Sequence, residues 1–134
     1  LTERIMVDNP NRLIKIMGEI KKAGFSVSVD DFGAGYSSLN LLKNMPADVI
    51  KLDKDFLSSQ EENKNQKERI IITSVIEMAK KLNITTVAEG VETKDQCEML
   101  KTSGCDIAQG FYYAKPMQEK LFKEFLGMKE KQSV

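Results

Sequence analysis

Apolar positions along this chain switch repeatedly between a helical and a strand spacing. Leu13, Ile14, Met17 and Ile20 recur at helical intervals behind Asp8-Asn9-Pro10, an Asx residue ahead of a proline in the first turn. Gly24 ends that helix. Val27 and Val29 then alternate with Ser26 and Ser28, which predicts a buried strand running to Asp30-Asp31, and Gly33 and Gly35 turn it into a loop. A short helix runs from Ser38 through Lys43 to a stop at Pro46. Val49-Ile50-Lys51-Leu52-Asp53 is the second strand. Phe56 to Lys67 is polar and reads as a solvated loop. A helix follows from Glu68 to Leu82, with Ile71, Ile72, Val75, Met78, Ala79 and Leu82 as its buried face. Ile84 to Gly90 is the third strand. Thr93 and Gln96 form a capping box for a helix that turns Met99 and Leu100 inward and closes at Gly104. Asp106 to Gly110 is a shorter fourth strand, Tyr112 to Pro116 a loop, and a last helix carries Leu121, Phe122, Phe125 and Leu126. Leu1 to Val7 reads as the tail of an element and Lys129 to Val134 as a polar tail.

The order is a helix, then strand and helix repeated four times. Such alternation implies an α/β fold of parallel strands joined by right-handed crossovers. At 134 residues the chain is one domain at most, with no linker and no internal repeat. Its 20 basic and 20 acidic residues cancel, so no basic surface advertises itself and tracking of a DNA or RNA polymer is not expected. The sequence has no apolar run of transmembrane length and no signal peptide, so no direct membrane insertion is expected. These features place the chain in the cytoplasm, alone or as the cytoplasmic part of a longer protein. The absence of histidine removes His-based catalysis and most zinc chemistry. Cys97 and Cys105 lack metal-ligand spacing and read as free thiols. The chain starts at Leu1 with Glu3 close behind, and nothing upstream prepares a fold, so a piece of a longer protein is expected.

Chemistry in parallel α/β folds gathers at the carboxyl ends of the strands. Here the first strand ends in Asp30 and Asp31, the second carries Lys51 and Asp53, the third ends in Glu89 with Glu92 beyond, and the fourth ends in Gln109. Any one of these is explicable as a surface residue; four successive strands delivering such groups to one rim are not. Asp30 and Asp31 can bind hard divalent cations through oxygen, and two such ions a few ångströms apart would clamp a phosphodiester and activate a water. Lys51 could bind that water or steady a phosphate charge, and Glu89 could accept a proton or hold the water. A phospho-accepting receiver domain also pairs acidic residues with a lysine. It needs two βα units between its aspartates and a late lysine, whereas Asp53 follows Asp31 by one unit and Lys51 is early.

Asp30-Asp31-Phe32-Gly33-Ala34-Gly35-Tyr36-Ser37-Ser38-Leu39 resembles the signature loop of EAL domains, the cyclic-di-GMP phosphodiesterases. Ile50-Lys51-Leu52-Asp53 looks like the family's Ile-Lys-Ile-Asp strand, with Leu52 in place of isoleucine. Val87 to Thr93, Gly104-Cys105-Asp106 through Gln109-Gly110, and Lys115-Pro116 are similar to further family motifs, in order. The resemblance implies the C-terminal half of a (β/α)8 TIM-type barrel that hydrolyses cyclic di-GMP to pGpG with two Mg²⁺ or Mn²⁺ ions. It implies that Asp30 bridges both metals and Asp31 binds the second. Lys51 would contact the nucleophilic water and Glu89 would support the metal–water cluster. Asp53, Glu92 and Gln109 would lie near the water or nucleotide, with Pro116 at the substrate side. Phe32, Gly33, Gly35, Tyr36 and Ser37 would form the loop that shapes the metal site, anchored by Glu3 as the last residue of a Glu-x-Thr-Glu motif. The Glu-Ala-Leu motif, the metal-binding asparagine and the first glutamate of Glu-x-Thr-Glu are absent. The expectation is therefore an enzyme in the intact parent and an inactive fragment, with a non-catalytic module that binds cyclic di-GMP or a protein partner as the alternative. A half barrel leaves strand edges and an apolar face unpaired, which predicts a homodimer or a domain-swapped assembly.

Overall fold

The structure, a computed structural model, describes residues 10–33, 39–57 and 62–130. Within them the order is α1 (Pro10–Lys22), β1 (Ser28–Phe32), α2 (Leu39–Asn44), β2 (Val49–Leu52), a 3₁₀ turn (Lys54–Leu57), α3 (Glu62–Lys81), β3 (Thr85–Ala88), α4 (Lys94–Ser103), β4 (Ile107–Ala108) and α5 (Glu119–Glu130). The four strands form one parallel sheet in chain order, β1-β2-β3-β4. This is the predicted alternation.

Local chemistry sets the boundaries. Pro10 opens α1, where its missing N–H costs nothing and its fixed φ suits the first turn. In α4 the Thr93 hydroxyl accepts from the Gln96 amide at 3.2 Å, and the Gln96 side chain accepts from the Thr93 amide at 2.9 Å, completing the predicted capping box. Gly104 closes that helix in the left-handed conformation.

Ile50, Leu52, Val29, Phe32, Thr86 and Ala88 lie on the sheet face that the helices cover, and all are buried. Met17 of α1, Leu42 of α2, Ile72, Val75, Ile76 and Ala79 of α3, and Leu100 of α4 pack with the apolar members of that group. The buried stripe of α3 differs from the expected one. Ile76 joins the core, while Ile71 and Leu82 are exposed. The run offers more apolar positions than one stripe can use, and the face at 72, 75, 76 and 79 meets the sheet. The solvated loop expected over Phe56 to Lys67 is also corrected: a 3₁₀ turn buries Leu57, and α3 begins at Glu62. Its Gln, Glu and Lys residues are good helix formers whose polarity reflects solvation rather than irregular structure.

The other sheet face carries the alternate residues. Lys51, Val87 and Ile107 form one cross-strand row on it. Ile107 is 52% exposed, and Leu121, Phe122 and Leu126 on α5 are exposed as well. β4 is only two residues long and is tied down from outside the ladder. Asp106 accepts from both the amide and the hydroxyl of Thr86, each at 2.8 Å, which also draws its carboxyl below the usual range.

Candidate active site at the carboxyl rim

β1 does not run evenly into the rim. Val29 pairs with Ile50, but Phe32 pairs with Leu52, so β1 takes one more residue than β2 over the same stretch. The extra residue is a bulge, and Asp31 within it has φ +54°. Aspartate tolerates this left-handed conformation better than most residues, at a cost of about 1–2 kcal/mol. The bulge returns Phe32 to the helix-covered face while leaving both Asp30 and Asp31 half-buried at the rim. Simple alternation would send adjacent carboxylates to opposite faces.

Lys51 lies between two carboxylates. Its Nζ donates to Asp30 Oδ1 at 2.7 Å and pairs with Glu89 Oε1 at 2.5 Å. Gln109 Nε2 donates to the same Glu89 oxygen at 2.8 Å. Thus β1, β2 and the residues just past β3 and β4 each contribute one member of a continuous chain, Asp30–Lys51–Glu89–Gln109. The hydrogen bond from Lys51 holds the Asp30 carboxyl below its ordinary value. The hydrogen bonds to Asp30 and Glu89 push the Lys51 ammonium well above its ordinary value, so it is charged at neutral pH and acts as a donor rather than a base.

The remaining predicted residues are placed as follows. Asp53 Oδ1 accepts from the Asp55 amide at 2.7 Å and caps the 3₁₀ turn. Glu92 is exposed, and its amide donates to Gln96 Oε1. Pro116 lies in the exposed loop before α5. Among the described residues, no side-chain hydrogen bond or ion pair joins Glu92 or Pro116 to the Lys51 cluster. Phe32 is core, and Gly33 follows it with φ +99°. Glu3, Gly35, Tyr36 and Ser37 lie outside the described residues. The sequence carries no trace of the bulge at Asp31 beyond Asp-Asp-Phe-Gly, whose glycine stands two residues after the strained position.

Among the described residues, no three acidic or cysteine side chains close into a metal cage. The donor chemistry still suits a hard divalent cation. Asp30 and Asp31 present only carboxylate oxygens, and an octahedral ion fills its other positions from water, substrate or other residues. The single ammonium of Lys51 faces Asp30 and Glu89 with Asp31 close by in the chain, so the rim keeps a negative balance that favours a cation.

Comparisons with known proteins bear on the family and the fold. The EAL domain family model matches residues 1–116. The cyclic di-GMP phosphodiesterase NbdA of Pseudomonas aeruginosa is 36% identical over 126 residues, covering 94% of this chain but 16% of that protein. The EAL domain of Mycobacterium smegmatis DcpA superposes with a TM-score of 0.80 at 35% identity, covering 95% of this chain and 56% of that one. The manganese and cyclic-di-GMP complex of Klebsiella pneumoniae BlrP1 gives 0.73 at 34% identity, over 83% of this chain and 28% of that one. The chain thus spans about a sixth of one curated relative and just over half of a solved EAL domain. The four-stranded unit corresponds to part of a TIM-barrel-like domain.

Proposed function

The chain belongs to the EAL domain family, and from that premise we propose that it is the C-terminal portion of an EAL domain whose intact form hydrolyses cyclic di-GMP to pGpG. The observation that carries this reading is the continuous contact chain Asp30–Lys51–Glu89–Gln109 across four strand ends. Asp30 and Asp31 are the residues that hold divalent cations, Mg²⁺ or Mn²⁺. When bound there, such ions would neutralise charge at the phosphodiester and lower the pKa of a bound water, so that hydroxide forms as the nucleophile. Lys51 has three N–H donors and commits two, to Asp30 and Glu89; the third serves the attacking water or a phosphate oxygen. Glu89 accepts the proton that the water loses. Gln109 fixes the Glu89 oxygen that Lys51 also binds, so the acceptor is oriented before substrate arrives. Asp53, Glu92 and Pro116 act at the nucleotide side, with the loop of Gly33, Gly35, Tyr36 and Ser37 shaping the cation site and Glu3 anchoring it. Work on this second messenger is cytoplasmic; none of the described helices is long and apolar enough to cross a membrane. The exposed apolar residues of β4 and α5 favour self-association of this chain as a homodimer or swapped assembly.

The test is Mg²⁺-dependent release of pGpG from cyclic di-GMP by the intact EAL domain. Asp31→Ala is expected to lower turnover by about a hundredfold or more while the nucleotide still binds. An intact domain that binds cyclic di-GMP and releases no pGpG moves the reading to a non-catalytic binding module.

A further inference from the structure

The 3₁₀ turn after β2 occupies an unusual place. It lies between the ends of β1 and β3 and touches a glycine on each side. On the β1 side, a Cβ built on Gly33 would fall 1.2 Å from Cε2 and 2.0 Å from Cζ of Phe56, so the ring edge fills the space where a side chain would stand. On the β3 side, a Cβ on Gly90 would fall 2.4 Å from Lys54 Cβ and 3.3 Å from Lys54 Cα. Both glycines also have positive φ, +99° and +68°, which other residues adopt only with strain. Gly90 directly follows Glu89, and Gly33 is two residues after Asp31.

The turn itself is fixed. Asp53 Oδ1 accepts from the Asp55 amide within it, the Asp53 amide reaches Phe32 O at 3.4 Å, and Leu57 O accepts from the Gln96 side chain at 2.8 Å. Leu57 is buried, and Phe56 packs against the core. The turn is thereby anchored to the helix layer through α4, while its outer side carries Phe56 against Gly33.

We infer that Phe56 is a positioning residue for the Asp30–Asp31 bulge: its ring, seated on Gly33 by the anchored turn, holds β1 in the strained conformation that keeps both carboxylates at the rim. The physical argument is that Asp31 at φ +54° persists only if its surroundings over-determine it. The ladder pairs Val29 and Phe32 on either side but breaks register between them, so Asp31 itself has no paired residue on β2. The packed ring on the far side of the bulge supplies the constraint, and Gly33 is the residue that lets it approach. The consequence for catalysis rests on the function proposed above; the structural claim does not.

The test compares wild type, Phe56→Ala and Phe56→Leu in the intact domain, with Phe25→Ala as a control because Phe25 is exposed. Hydrogen exchange over residues 29–33, Mn²⁺ binding followed by electron paramagnetic resonance, and kcat and KM are measured together. Phe56→Ala is expected to raise exchange at residues 29–33 while β3 stays protected, to weaken Mn²⁺ by about tenfold or more, and to lower kcat more than it changes KM. Phe56→Leu keeps the apolar anchor but loses the ring edge, and shows the same local change at smaller amplitude; it carries the test if the alanine variant does not fold. Exchange and Mn²⁺ affinity like wild type in a folded Phe56 variant overturn the proposal. A wild type without pGpG release contradicts the function and leaves the exchange result to decide the role of Phe56.

Discussion

On the helix-covered side of the sheet, Val29, Ile50, Leu52 and Ala88 are 0–1% exposed, whereas on the opposite side Lys51 keeps 29% of its side chain in contact with solvent and Ile107 more than half. The same four strands build both sides, and the difference separates two tasks. One side supplies stability by burying branched and aromatic side chains. The other bears the charged row, whose members meet only because the buried side fixes strand register. Displacing β2 against β1 by one residue would bring Ile50 or Leu52 to the place of Lys51. The site is therefore only as well placed as the core beneath it.

Four changes would break or sharpen that contrast. Ile50→Ala removes a completely buried side chain from the middle of the core and is expected to cost about 3–4 kcal/mol in urea unfolding; a loss under about 1 kcal/mol would place the stabilising burial elsewhere. Thr93→Ala removes one half of the α4 capping box and should cost about 1 kcal/mol by the same measurement, with Thr93→Asn restoring most of it.

The rim contributes less. Because Asp30 is held below its ordinary value by Lys51, the pair stabilises the fold above the usual carboxylate range and loses that stabilisation as pH falls through the lowered Asp30 value. Lys51 is raised, so its share is present below the ordinary lysine value and is lost only in strong alkali. With both groups partly in water, the pair is worth under about 1 kcal/mol. Lys51→Met should remove this pair's part of the acid dependence of unfolding; an unchanged acid limb would mean the pair is not linked to folding. Phe122→Ala, at an exposed position on α5, should change the stability of the dissociated chain by less than about 0.5 kcal/mol. A larger loss would show that α5 is packed by contacts beyond those within the described residues.

Much of this was legible in the residues. The period switches located all four strands and the helices between them. Pro10, the Thr93–Gln96 box and Gly104 marked helix ends by local hydrogen-bond chemistry, which needs no tertiary context. Lys51, Glu89 and Asp30 could be placed at one rim because parallel strands align their carboxyl ends. What failed needed three dimensions. Ile71 and Ile76 are chemically alike, and only the sheet decides which is buried. The polar stretch before Glu68 looked like loop because solvation and helix use the same residues. The bulge at Asp31 depends on register with β2, and the seat of Phe56 on Gly33 depends on a turn that the polar composition concealed. The charge of Asp53 is plain in the sequence, but that its carboxylate caps the turn is not.

Whether Asp30 and Lys51 act together at the rim is tested most directly by a cycle of Asp30→Asn, Lys51→Met and the double variant in the intact EAL domain. Single-turnover pGpG release is followed across a Mn²⁺ titration. The account predicts that each single variant loses about a hundredfold or more in rate, that the double variant loses little beyond the worse single, and that added Mn²⁺ rescues neither fully. Losses that multiply in the double variant, or a Lys51→Met enzyme that turns over like wild type, would contradict it.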